Sequence, residues 1–223
     1  MPLIITLAHQ KGGVGKSTLA TNLRGYFVAQ GFKTALVDID PQGSLSKLVQ
    51  TFSAQDGRDP EHLITRRDYA DYPSLLAKLA PYDIAVIDTP PYLSAEIREV
   101  LGITHVVLVP CKASPLDYLA IGDTLALIRE AQKTQPKLLG AVVLTMTIAG
   151  TEFTAQIRKQ VAAENPDFPV LNAEIANRVA YMRSLIRANT VQGDDNRKAW
   201  SEIEALGHEL ISLARQHYAK QNG

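Results

Sequence analysis

The chain has 223 residues, 46% of them apolar and 21% charged, with 23 basic side chains set against 23 acidic ones. That composition excludes a disordered polyelectrolyte and predicts one domain, residues 1–223, with an ordinary buried core. The charge balance excludes a globally basic protein, so any contact with nucleic acid has to come from a local patch. The single cysteine, Cys111, rules out an internal disulfide framework, suits a reducing cytoplasm and argues against cysteine-held zinc or iron–sulfur. No basic stretch followed by a long apolar one opens the chain. No apolar run reaches the roughly 20 residues that span a bilayer.

In chain order, Leu3 to Ala8 is continuously apolar and predicts a strand buried on both faces. A glycine-rich turn follows, then a helix from about Ser17 to Gln30, capped by Gly31. Thr34 to Ile39 predicts a second strand, ended by the turn Asp40-Pro41-Gln42-Gly43, with a short helix near Leu45 to Val49. From Thr51 to Tyr72 the composition shifts, and Gln55 to Pro60 predicts an exposed loop. Helix at Pro73–Leu79, strand at Asp83–Asp88, helix at Ala95–Leu101 and strand at His105–Pro110 come next. After them the pattern predicts a helix at Pro115–Thr134, a strand at Leu138–Met146, a helix at Thr151–Glu164 and a short strand at Pro169–Leu171. A final helix runs from about Asp195 to Tyr218, with Trp200, Ile203, Leu206, Leu210 and Leu213 as its apolar stripe. Alternating strands and helices predict an α/β fold of three layers: a mainly parallel, twisted sheet with helices on both faces. In such sheets ligands gather at the carboxyl ends of the strands.

Three groups of residues fall at those ends. Lys11-Gly12-Gly13-Val14-Gly15-Lys16-Ser17-Thr18, between a strand and a helix, has the setting of a phosphate-binding loop. Its backbone N–H groups and the helix N-terminus offer partial positive charge to an anion. Lys16 adds a full charge, and Ser17 offers a hydroxyl to magnesium. The loop departs from the usual G-x-x-x-x-G-K-[S/T] pattern, because Gln10 stands at the first glycine and an extra lysine, Lys11, follows. Asp88 ends a strand as a lone acid, where a carboxylate complements Ser17 at magnesium. Asp38 and Asp40 alternate at another strand end, so one can face the nucleotide while the other makes structural contacts. Asp40 lies further toward the catalytic edge and is the better candidate to orient an attacking water.

The series K-G-G-V-G-K-S-T, V-D-I-D-P-Q-G and A-V-I-D-T-P-P resembles the ParA/MinD group of deviant Walker A ATPases. The resemblance extends to Val107–Pro110, Ser114–Asp117 and the late stretch Ile175–Tyr181, which is similar to short plasmid-type ParA proteins. It implies a P-loop fold, ATP and Mg2+ as cofactors, and a nucleotide-sandwich homodimer in which Lys11 reaches the partner's phosphates. Lys11, Lys16 and Asp40 take catalytic roles by this resemblance. Gly12, Gly13, Val14, Gly15, Lys16, Ser17 and Thr18 bind the nucleotide, and Ser17 and Asp88 hold the metal.

The resemblance also implies ATP-dependent, nonspecific DNA binding, a ParB-type centromere-binding partner, and a cytoplasmic protein that joins the nucleoid when ATP-bound. Arg178, Arg183 and Arg187 are the candidate DNA patch, the last two spaced to share a helix face. Surface ion pairing, or contact with the nucleotide, is the plainer role for the same arginines. In the final helix Glu202, Glu204 and Glu209 oppose anionic lipid, which argues for packing on the sheet and against stable membrane insertion. The alternative function is a MinD-like or cargo-positioning ATPase acting on a membrane or protein cluster. Lys11 argues against a third, a metabolic ligase.

Overall fold

A computed structural model describes residues 1–56, 62–92, 95–148, 151–186, 190–193 and 196–221. Its strands are β1 (Leu3–Leu7), β2 (Thr34–Asp38), β3 (Leu63–Thr65), β4 (Ile84–Asp88), β5 (Val106–Lys112), β6 (Leu139–Thr147) and β7 (Val170–Ala176). They form one sheet in the order β3-β2-β4-β1-β5-β6-β7, and every pairing in it is parallel. The helices are α1 (Lys16–Ala29), α2 (Ser44–Asp56), α3 (Tyr72–Leu79), α4 (Ala95–Leu101), α5 (Pro115–Thr134), α6 (Glu152–Glu164), α7 (Val179–Ile186) and α8 (Arg197–Gln221).

Alternate strand residues feed cores on opposite faces of the sheet. Ile5, Leu7, Val86, Leu108 and Ala141 pack with α1, α2, α7 and α8. On the other face Val107, Val109 and Val142 meet α4, α5 and α6, while Ile4, Val37 and Ile87 meet α3 and α4. This explains why the central strands read as unbroken apolar runs. Helix starts follow their caps. Ser114 accepts from the Asp117 N–H ahead of α5, and Asp71 caps α3 with Pro73 in the first turn. The α8 stripe is packed down: Ile203, Leu206 and Leu210 are fully buried, with Trp200 and Leu213 partly so. Gly207 is required there, since a Cβ on it would stand 2.2 Å from the Tyr26 ring of α1. Among the described residues no helix is long and apolar enough to cross a membrane.

Four expectations need correction. β3 lies within the Thr51–Tyr72 stretch that composition marked as a break; three residues are too few to show alternation. α2 continues through Gln55 and Asp56, which the sequence assigned to a loop; the rest of that loop, 57–60, lies outside the described residues. Cys111 sits inside β5 rather than after it, because Pro110 is accommodated in the strand. β7 runs to Ala176, well past Leu171, and the helix expected to carry Arg183 is α7. β7 is irregular: from Val142↔Val170 to Leu144↔Glu174 it advances four residues while β6 advances two. A bulge of this kind hides the period on which strand prediction depends.

Candidate functional site

β1 is flanked by β4 and β5 in the middle of the sheet, so the turn after it opens at the carboxyl edge beside Asp38 and Asp88. Gly13 and Gly15 hold left-handed backbone, φ +72° and +99°, which side chains rarely adopt. The turn is anchored from outside. Thr145 Oγ1 donates to the Val14 carbonyl at 2.9 Å, and Thr89 Oγ1 ties the end of β4 to the Leu7 carbonyl at 2.7 Å. At the anomalous position, Gln10 donates its amide to the Ala120 carbonyl at 2.8 Å and its backbone N–H to Thr124 Oγ1 at 3.2 Å. A glycine could make only the backbone bond; the Gln10 side chain adds a second tie to α5.

Lys16 is buried, and its Nζ lies inside the curl of the loop, donating to the carbonyls of His9 at 3.1 Å and Lys11 at 3.0 Å. Burial pulls its pKa down, while Asp88 and Asp40 push it back up. Ser17 Oγ donates to Asp88 Oδ2 at 2.6 Å. Burial drives the Asp88 carboxyl up to about 7 against the opposing pull of that hydrogen bond. Its other oxygen, Oδ1, is buried with no hydrogen-bond partner among the described residues. An acceptor left open beside a serine hydroxyl fits a hard cation. No cluster of three or more metal-ligating side chains occurs among the described residues. That suits magnesium, which usually takes one or two carboxylates together with phosphate oxygens.

The two acids after β2 have separate positions. Asp38 is buried, and its Oδ2 accepts from the Ser46 N–H at 2.8 Å and from the Ser46 hydroxyl, fixing the start of α2. Asp40 lines the cavity formed by Gly12, Gly13, Gly15, Lys16, Ser17 and Thr18. Its Oδ1 accepts only the Gln42 N–H, at 2.9 Å, among the described bonds. A second, mostly apolar cleft on the α1 side is lined by Val14, Thr18, Met146, Ile175, Asn177 and Met182. Met146 lines both cavities and carries φ +51°, a conformation uncommon outside glycine. The sequence alone singled out neither Met146 nor Asn177 as a site residue, because only the parallel pairing of β6 and β7 brings them together beside the loop.

Lys11 is half-exposed and held by its own chain, with Nζ 2.9 Å from the Leu116 carbonyl and 3.6 Å from Asp117 Oδ1. The arginine patch is divided. Arg178 is bound through two nitrogens to Glu202 Oε1, so it takes the ion-pairing role. Arg183 is exposed and lines an open groove with Arg197 and Lys198 at the start of α8. Arg187 lies outside the described residues. Sequence reasoning missed Arg197 and Lys198; two cations in the first turn of a helix, against its dipole, were the available signal.

Comparison with known proteins agrees with this geometry. Residues 5–191 match the CobQ/CobB/MinD/ParA nucleotide binding domain. The chain is 33% identical to the maintenance of carboxysome distribution protein A of Halothiobacillus neapolitanus, over 93% of this chain and 95% of that one. It is 28% identical to the chromosome-partitioning ATPase Soj of Treponema pallidum, over 93% and 96%. Its fold superposes on cobyrinic acid a,c-diamide synthase of Mycobacterium smegmatis, solved with an ATP analogue and magnesium, with a TM-score of 0.75 at 21% identity, over 95% and 94%. With well over half of the chain matched and the phosphate loop, Ser17, Asp88 and Asp40 gathered at one strand edge, the protein belongs to the ParA/MinD family of nucleotide-binding proteins.

Proposed function

We propose that the protein is an ATP-driven positioning switch. ATP and magnesium pair two subunits, the pair binds DNA without reading its sequence, and hydrolysis releases it. The observation that carries this reading is Lys11, an added cation that directly precedes the loop lining a cavity with Lys16, Ser17 and Asp40, and whose half-exposed ammonium sits on α5 rather than in that cavity. Two triphosphates brought face to face need more positive charge than one loop supplies, and a lysine given in trans makes pairing depend on ATP. Lys16 neutralises phosphate from within the subunit. Ser17 and Asp88 hold the metal, which when bound spreads positive charge over the phosphates. Asp40 orients the attacking water and accepts its proton. Thr18 contacts the α-phosphate, and the apolar cleft beside Met146 and Asn177 takes the base.

For DNA, the groove lined by Arg183, Arg197 and Lys198 offers phosphate contacts; Arg178 lines the same groove but is already engaged by Glu202. Pairing doubles the patch, so ATP raises DNA affinity by avidity. Hydrolysis is slow until a ParB-type partner stimulates it. On this reading the protein is cytoplasmic and nucleoid-bound when loaded with ATP. The relative of 33% identity named for carboxysome distribution supports a second reading of the cargo, a protein assembly rather than a replicon.

A DNA shift assay with ATP, ADP and no nucleotide, at two salt concentrations, tests the switch. Retardation with ATP alone, weakened by salt, is the expected result. Equal binding in all three states would falsify it.

A further inference from the structure

Lys11 is gripped at both ends by its own chain. Its backbone N–H donates to His9 Nδ1 at 2.9 Å, and its Nζ donates to the Leu116 carbonyl at 2.9 Å and faces Asp117 Oδ1 at 3.6 Å. Asp117 is not a loose surface acid. It is the third residue of α5, its Oδ2 is bound by the Ser114 hydroxyl, and its side chain is 19% exposed against 42% for Lys11. Gln10 is fastened to the same helix at Ala120 and Thr124. Positions 116, 117, 120 and 124 make one stripe of α5, so both residues that depart from the usual loop are seated on one helix face. Leu116 and Leu119, 74% and 70% exposed, project from the turn that holds Lys11.

We propose that Asp117 is a positioning residue for the pairing step: it keeps Lys11 on its own subunit until phosphate charge on a second subunit draws it away. The inference rests on the reading of Lys11 as a charge given in trans. The ammonium is one charge on one nitrogen at the end of one side chain, so the carboxylate of its own helix and the phosphates of a partner compete for it. A half-exposed ion pair is modest in strength. It therefore biases Lys11 without preventing its transfer to a triphosphate of larger charge. Asp117 thus sets the protein concentration at which ATP produces the pair.

The test is dimer formation against protein concentration, by analytical ultracentrifugation with a non-hydrolysable ATP analogue and magnesium. Asp117→Asn removes the charge and keeps the shape and the Ser114 contact. Two latches open per dimer, each worth a few-fold, so Asp117→Asn should dimerise at about 3- to 10-fold lower concentration than the unaltered protein. Asp117→Glu, which disturbs the same turn but retains the charge, should show no such gain. In a Lys11→Ala background, Asp117→Asn should change nothing. Lys11 should also acylate faster in nucleotide-free Asp117→Asn, a measurement that does not depend on dimerisation. No gain in Asp117→Asn, an equal gain in Asp117→Glu, or a gain that persists without Lys11 overturns the inference while the switch reading stands. If the unaltered protein stays monomeric with the analogue, the switch reading falls and the latch falls with it.

Discussion

Strands β1 and β7 lie in the same parallel sheet and lead to the same cleft, yet their backbones are satisfied in different ways. β1 is central, paired on both sides by β4 and β5, and the residues that give it a function follow within eleven positions, from Ala8 to Thr18. β7 is an edge. Its bulge frees the N–H groups of Asn172 and Ala173, and Glu209 of α8 accepts both at 2.8 Å. Glu202 accepts the Ala176 N–H at 3.2 Å, and Arg158 of α6 donates to the Leu171 and Asn172 carbonyls. Three charged side chains thus do for β7 what a neighbouring strand does for β1, and they close an edge that would otherwise pair with another chain. The loop at the centre is written in adjacent residues, while order at the edge is written in residues 13 to 37 positions away, on α6 before the strand and α8 after it.

The largest test of this contrast is at the centre. Lys16→Ala removes the cation inside the loop and should lower ATP hydrolysis by about 10²- to 10³-fold, measured as phosphate release, with little loss of fold. The edge should respond in the opposite manner. Glu202→Ala leaves the Ala176 N–H and Arg178 without their carboxylate and removes one partner of the Tyr181 hydroxyl. Urea unfolding should show a loss of about 3 kcal/mol. A loss below about 0.5 kcal/mol would mean that water satisfies the edge equally well. Gly207→Ala comes next, at about 1–3 kcal/mol, because its new methyl group must displace the Tyr26 ring.

The pH dependence separates the two regions further. Asp88, raised to about 7 from an ordinary 3.8, holds its proton more tightly in the folded chain than in the unfolded one. Between those values folding takes up a proton, so the nucleotide-free fold weakens as pH rises toward 7. His9, pushed down to about 4 chiefly by burial, acts in the opposite direction from there to 6.5. The informative quantity is therefore the difference between wild type and Asp88→Asn, whose melting temperatures should diverge in favour of the variant as pH rises from 5 to 8. A difference that stays flat with pH removes the buried carboxyl from the account. The smallest effect is expected in the groove: each of Arg183, Arg197 and Lys198 changed to Ala should lower the salt slope of DNA binding by about one. Arg178→Ala should instead lower stability, and a DNA defect without a stability defect would reverse its assignment.

Much of the centre was legible. The unbroken apolar runs of β1, β2, β4 and β5 could not be mistaken for amphipathic helices of comparable length, and the expected turn is present, with left-handed Gly13 and Gly15 and a cavity lined by Lys16 and Ser17. α5 begins at Pro115, where the sequence pattern placed it. Less was legible elsewhere. β3 is too short to carry a period, and the β7 bulge breaks one. The three glutamates of α8 were read only as a polar face that repels lipid, although two of them, Glu202 and Glu209, cap an edge strand.

The sequence by itself determined the chemistry of the loop, because φ > 0 glycines, a lysine and a hydroxyl act within a single turn and need only a strand before them and a helix after. The tertiary structure decided how that chemistry is governed. Asp38 goes to Ser46 while Asp40 faces the cavity, Arg178 goes to Glu202 while Arg183 stays exposed, and Gln10 and Lys11 seat on α5. Each outcome is a choice among partners of like charge and reach, and only the packing of distant elements fixes which partner lies within hydrogen-bond distance.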